Sequence, residues 1–238
     1  MLWFKAWRET RSRFLICLFG IAALCVYGVW HDYRLARPGT PPPFYYTLFH
    51  GVHGLLASLW LGAVNLLMMG GLLREKAAGV ASFTLALPVS RKRLIGVRVG
   101  VALFQALALI VLPSTAVWLE LAVIGKPYPA SQVWFHFVLM WSGGLVFLAI
   151  ALLVASLVEG EYTAPVVSFG VVVGTAFVLG DPRIQAISPF RFMGGIDYFD
   201  RPSGLLVGPI PLAHAVAYIL LAALLTAAAV KAIEAREF

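Results

Sequence analysis

Few side chains in this 238-residue sequence are of a kind that makes or breaks bonds. Ser142, in the run Trp141-Ser142-Gly143-Gly144, and His214 could act as nucleophile and base on a peptide, provided the fold set them at one depth. His50, His53 and His136 offer imidazole nitrogens to a metal, but no carboxylate or cysteine accompanies them at ligand spacing, so interfacial or core histidines are expected. No GxxxxGK[ST] phosphate loop occurs and the polar connections are too short to hide a nucleotide domain, so the chain cannot hydrolyse ATP by itself. No cofactor or metal is expected on this chain. The net charge of +7 comes without a basic stripe interleaved with stacking aromatics, which argues against a nucleic-acid partner.

One polar segment stands out. LREKAAGVASFTLALPVSRKRL, Leu73 to Leu94, is a charged island broken by proline between two long apolar runs. Arg74, Glu75 and Lys76 mark emergence into water, and Gly79 offers a turn. From Val80 to Leu87 there is no charge, and Phe83 and Leu87, four apart, would form one apolar ridge on a short helix. Pro88 stops that helix, and Ser90, after Val89, is placed to cap the next one. Arg91, Lys92 and Arg93 then sit at a helix N-terminus that disfavours cations, so lipid phosphate or a partner's acidic groups would compensate them. An apolar ridge between charged rims suits a protein contact, and equally a loop lying on the lipid surface.

The elements around the island are set by hydropathy. With 61% hydrophobic and 12% charged residues the chain lacks the polar surface of a water-soluble domain. Six apolar stretches approach the length that crosses a bilayer as helix: Phe14 to Trp30, Val52 to Leu73, Val99 to Ile124, Val133 to Val158, Ala164 to Leu179 and Leu212 to Val230. Glu120 is the one formal charge within them, while all 18 Lys and Arg fall in connections or termini. With the N-terminus inside and six crossings, twelve basic residues lie inside and six outside, so both termini are expected in the cytoplasm. The segment from Gly180 to Pro211 has five prolines and several aromatics, too irregular for a span, and of an outer cap and a partly re-entrant helix the cap resting at the outer rim is favoured, because non-helical backbone at membrane depth must be shielded by protein or water.

The N-terminal stretch, residues 1–13, places Trp3, Phe4 and Trp7 on one side of a helix and Lys5, Arg8, Glu9 and Ser12 on another. That is the pattern of a helix lying flat at the inner lipid surface, anchored by Trp3, Phe4, Trp7 and Arg8. The two cysteines, Cys17 and Cys25, fall inside the first apolar run and read as small apolar side chains. That run is too long for a cleavable signal core and has no Ala-x-Ala exit, so a retained helix is expected.

Taken in order, these features resemble the permease subunit of type-2 ATP-binding cassette (ABC) exporters. Glu75, Lys76, Gly79, Pro88, Val89, Ser90 and Arg91 match that family's EKxxGxxxxLxxPVSR loop in order, with one residue more between Gly79 and Leu85 and with Val80 where a Thr is common. SLVEGEYTAPVVSFG, Ser156 to Gly170, is similar to its inner connection between spans four and five, and ISPFRF, Ile187 to Phe192, to its outer segment. The resemblance implies a single all-α polytopic membrane domain over residues 1–238: an N-terminal interfacial elbow helix, six transmembrane helices, a cytoplasmic coupling helix at 74–93 and an extracytoplasmic segment at 180–211. It also implies a bacterial cytoplasmic membrane, a second permease subunit as homo- or heterodimer, and an ABC ATPase chain that binds ATP and Mg. In that scheme Glu75, Lys76, Gly79, Phe83, Leu87, Pro88, Val89, Ser90 and Arg91 meet the ATPase.

Polar residues inside spans are sparse. Asn65 and Gln105 are candidates to line a pathway and equally to form interhelical hydrogen bonds. Glu120 reads as a solvated rim group, and the GxxxG pairs Gly170/Gly174 and Gly96/Gly100 as packing within one subunit. The scarcity of intramembrane charge favours an apolar or amphipathic cargo. A non-transporting relative serving assembly or resistance has the same sequence features. The rival class is a rhomboid-like intramembrane serine protease using Ser142 and His214, although its GxSG signature needs a small residue where Met140 stands.

Overall fold

The computed structural model describes residues 2–35, 44–68, 91–126, 128–158 and 163–235. The expected coupling residues from Glu75 to Ser90 lie outside them, and Arg91 enters only as the first residue of a helix. In chain order the helices are α1 (Leu2–Leu35), α2 (Phe44–Leu48), a π-turn (Phe49–His53), α3 (Gly54–Met68), α4 (Arg91–Val123), α5 (Ala130–Leu157), α6 (Thr163–Val178), α7 (Pro189–Gly194) and α8 (Leu212–Glu234). Two short 3₁₀ turns and a two-stranded hairpin, β1 (Phe199–Asp200) and β2 (Leu205–Leu206), complete the segment before α8.

Among the described residues five helices are long and apolar enough to cross a bilayer: α1, the continuous run Phe44–Met68, α4, α5 and α8. Helix α6, expected as a sixth span, has 16 residues, or about 24 Å at 1.5 Å per residue, shorter than a hydrocarbon core of about 30 Å. The second span is displaced from its expected bounds. Helix begins at Phe44 rather than Val52, because the aromatic run Phe44-Tyr45-Tyr46 folds as helix and the π-turn continues it into α3.

A separate elbow is not what forms. α1 runs unbroken for 34 residues, about 51 Å, and nothing bends it at residue 13. No glycine or proline occurs between Leu2 and Phe19, so its hydrogen-bond ladder has no natural break. Its first turns pack on α4, where Ala6, Val97 and Val101 form a small buried cluster with Leu2 and Trp7 against it.

The helices run alternately up and down. Trp3 beside Gly100 marks one end of the bundle, and Trp118 bonded to Tyr128 marks the other. The main core lies among α1, α3, α4 and α5 around Trp60, Leu109, Ile110, Met140 and Phe147. A second cluster, with Phe135, Leu139, Val146, Ala215, Tyr218 and Ala222, joins α5 to α8. Outward faces carry the lipid-suited side chains, such as Ile16 and Phe19 on α1 and Leu220 and Leu224 on α8. Tyr27, Trp30 and Tyr33 on α1 and Trp134 on α5 give the Tyr128 end an aromatic belt.

Candidate functional site

The two ends of the bundle hold its polar and irregular features. At the end where the 69–90 segment joins α4, α4 is held by α1 through side chains that match in register. A Cβ on Gly100 would come within 2.7 Å of the Trp3 ring, so that glycine is what lets the indole lie on α4. Arg98 bridges to Glu9 at 3.3 Å, and Gln105 Nε2 donates to Thr10 Oγ1 at 2.8 Å. Of the expected anchors, Trp3, Phe4 and Arg8 are exposed and Trp7 is half-buried, its ring 5.5 Å from that of Phe14.

Asn65 and Gln105, the candidate pathway residues, are both buried between helices. Asn65 donates to the Leu61 carbonyl at 2.7 Å and accepts from Ser168 of α6 at 2.7 Å. Gln105 joins α4 to α1 as above, with its Oε1 buried and without a partner among the described residues. Glu120, expected as a solvated rim group, is partly exposed, and its Oε2 is buried with no hydrogen-bond partner among the described residues. A Cβ added at Gly96, Gly170 or Gly174 would meet nothing within 4 Å among the described residues, whereas one at Gly100 would meet the Trp3 ring.

The Trp-Ser-Gly-Gly run proves to be a packing device. The Ser142 hydroxyl donates to the Val138 carbonyl of its own helix at 2.6 Å, while His214 is exposed on α8 with its ring 6.2 Å from that of Phe192. No hydrogen bond joins them, so the nucleophile–base pair that a protease needs is not assembled. The glycines matter instead. A Cβ on Gly144 would meet the Trp60 ring at 2.7 Å, and Trp60 Nε1 in turn donates to the Ala106 carbonyl at 2.9 Å, tying α3, α4 and α5 together. A Cβ on Gly143 would meet the Pro189 carbonyl oxygen at 2.7 Å.

That last contact defines the segment between α6 and α8. Gly143 lies about 20 Å along α5 from Ala130, near the middle of a 28-residue helix, so α7 reaches to mid-depth. The favoured expectation for residues 180–211, a cap resting at the outer rim, differs from what is seen: α7 packs halfway along α5 rather than over its end. Pro189 opens α7, Ser188 caps it by accepting from Arg191 N–H at 3.4 Å, and Gly195 ends it in the left-handed region at φ 70°. Arg191 pairs with Asp197 at 2.6 Å and donates to Gln185 at 2.6 Å, closing the 3₁₀ turns onto α7.

Beyond α7 the hairpin folds over the π-turn. Phe199 stacks on Phe49 with ring centroids 4.0 Å apart, and Tyr46 stacks on His50 at 4.2 Å. Gly204, at φ 71°, lets the hairpin turn lie against Tyr45, where a Cβ would be 2.7 Å away. Asp200 accepts from the Ser203 hydroxyl at 2.6 Å and its N–H at 3.0 Å, which holds this exposed carboxyl below the usual carboxylate range. Gln132 of α5 pairs with the backbone of Leu206 in both directions, accepting from its N–H at 2.8 Å and donating to its carbonyl at 2.9 Å. A lone Gln before an apolar run has no sequence signature, so this clamp is visible only in the folded chain.

His53 and His136 also meet, from the π-turn and from α5, with ring centroids 4.2 Å apart, whereas His50 is exposed. Among the described residues no group of three or more His, Cys, Asp or Glu could hold a metal.

The described residues thus form a helical bundle with five membrane-span candidates and a short helix, α7, packed halfway along α5. A family model described as ABC-2 family transporter protein matches residues 39–196, well over half of the chain. No curated protein and no solved structure matches it. With a match that runs from before α2 through α7, on a chain with five helices fit to span a membrane, the protein belongs to the ABC-2 family of transporter proteins, as a multi-pass membrane component that is not itself catalytic.

Proposed function

We propose that the chain is the permease subunit of an exporter, driven by ATP and Mg bound on a separate cytoplasmic ATPase and paired with a second permease subunit. The observation that carries this reading is the family match, whose range includes the charged island from Leu73 to Leu94. In this reading the 74–93 segment is the ATPase contact, the Tyr128 end faces outward, and both termini are cytoplasmic. Closure of an ATPase dimer would push the Phe83 and Leu87 ridge, and the push would pass into α3 and α4, the helices on either side of it. The register contacts of Trp3, Glu9 and Thr10 with α4 would carry α1 along as one body. Exposed Trp3, Phe4 and Arg8 would meet inner-leaflet headgroups. The cargo is apolar or amphipathic, since one formal charge lies in the apolar stretches.

The test is co-purification in mild detergent with ATPase activity measured on wild type and on a Phe83→Asp, Arg91→Glu double variant. Activity that accompanies the wild type and is lost with the variant, at equal amounts of permease in the membrane, supports the coupling role. A wild-type protein that purifies without ATPase, or a variant that retains it in full, overturns the reading.

A further inference from the structure

Near the Tyr128 end, between the π-turn, α4 and α5, lies a small cavity with room for about one water-sized group. His53, His136, Tyr128, Ser114 and Trp118 line it together with two valines. The two histidines are 8% and 2% exposed, and His53 Nδ1 and His136 Nε2 are buried without a hydrogen-bond partner among the described residues. Buried polar atoms left unpaired are rare in folded proteins, and here two of them sit on rings that face each other at 4.2 Å beside a space.

The lining selects the chemistry of what could enter. Among the described residues it contains no Asp, Glu, Lys or Arg, so an ion would be desolvated without a counter-charge from them. A metal would find two imidazoles and, among the described residues, no third His, Cys, Asp or Glu. The Trp118 N–H is already engaged, donating to the Tyr128 carbonyl at 2.9 Å. An uncharged imidazole carries one N–H donor and one bare nitrogen acceptor, so a pair of rings is served in series only by a group that accepts from one and donates to the other. A hydroxyl does both, whereas a carbonyl or an ether only accepts.

We propose that His53 and His136 form a recognition site for a neutral hydroxyl group, held between an N–H of one ring and a bare nitrogen of the other. The hydroxyl belongs either to water or to the alcohol head of an amphiphile. Trp118 lines the cavity and is 38% exposed, so one wall reaches the surface of the chain, where an alkyl tail would lie. The inference stands independently of the transport reading.

The experiment uses the wild-type chain, ¹⁵N-labelled at histidine, in dodecylphosphocholine micelles, whose headgroup carries no hydroxyl. A water-soluble paramagnetic chelate broadens the exposed rings of His31, His50 and His214 and leaves the two buried ones, so no variant is needed to distinguish them. The buried rings are expected at hydrogen-bonded nitrogen shifts. Cross-relaxation to water at these rings identifies water as the source. Displacement of that signal by 1-octanol, with 1-methoxyoctane inert, identifies an amphiphile alcohol. Non-hydrogen-bonded shifts with neither water contact nor an octanol response overturn the proposal, as does a methyl ether that acts as well as the alcohol.

Discussion

Replacing Gly143 by alanine tests whether α7 is seated against the middle of α5. The added Cβ would stand 2.7 Å from the Pro189 carbonyl oxygen, 3.1 Å from Met193 Cβ and 3.2 Å from Met193 N. Two of these are backbone atoms that cannot swing away, so α7 itself must move. Overpacking of this kind costs about 1–3 kcal/mol. Against it stands the helix preference of Ala over Gly, about 1 kcal/mol, which leaves a net loss of about 0–2 kcal/mol. Gly62 in α3 is the control, because a Cβ there meets nothing within 4 Å among the described residues. Gly62→Ala should therefore stabilise by up to about 1 kcal/mol, and the two chemically identical changes should differ by the overpacking cost of about 1–3 kcal/mol. Unfolding of each variant by sodium dodecyl sulfate in mixed micelles, followed by far-ultraviolet circular dichroism, measures both. If Gly143→Ala stabilises as Gly62→Ala does, the re-entrant placement of α7 is wrong.

Other contacts give equally direct outcomes. Gln132→Leu removes both hydrogen bonds to the Leu206 backbone and should weaken the hairpin's hold by about 1–3 kcal/mol, read as faster hydrogen exchange at the Leu206 amide; unchanged exchange would refute the clamp. Gly100→Ala places its Cβ against the far end of the Trp3 side chain rather than backbone, so the indole should swing out with little loss of stability, seen as easier quenching of Trp3 emission in a variant with no other tryptophan. For Asp200, the carboxyl held low by Ser203 stabilises the hairpin turn above the usual carboxylate range, and that contribution is lost as pH falls through its depressed value. The Gly204 amide, which donates to the Asp200 carbonyl at 2.8 Å, should therefore keep its resonance through the ordinary carboxylate range and move only below it, and Asp200→Asn should abolish the step.

Much of the architecture was legible because partition into a bilayer is a property of local composition. Residues 99–124, 133–158 and 212–230 were marked as spans by their own hydropathy, and the helices found there differ from the expected bounds mainly at their ends. The irregularity of Gly180 to Pro211 was equally local, since Pro189 and Gly195 punctuate α7 wherever it docks. The N-terminal stretch was legible as an amphipathic helix, but not that Gly100, far along the chain in α4, makes room for the Trp3 ring.

The amino-acid sequence by itself determined that this is a helical membrane chain, where most of its apolar helices lie, and which short segments stay polar. Only the tertiary structure decided that Ser142 bonds to its own helix, that Gly143 and Gly144 make room for α7 and Trp60, and that His53 meets His136. The physical reason lies in the helices themselves. A span that is apolar on every side carries no periodic signal of which face turns inward, so its rotation, and with it every contact between distant polar side chains, is set by shape and by the few hydrogen bonds that neighbouring helices complete.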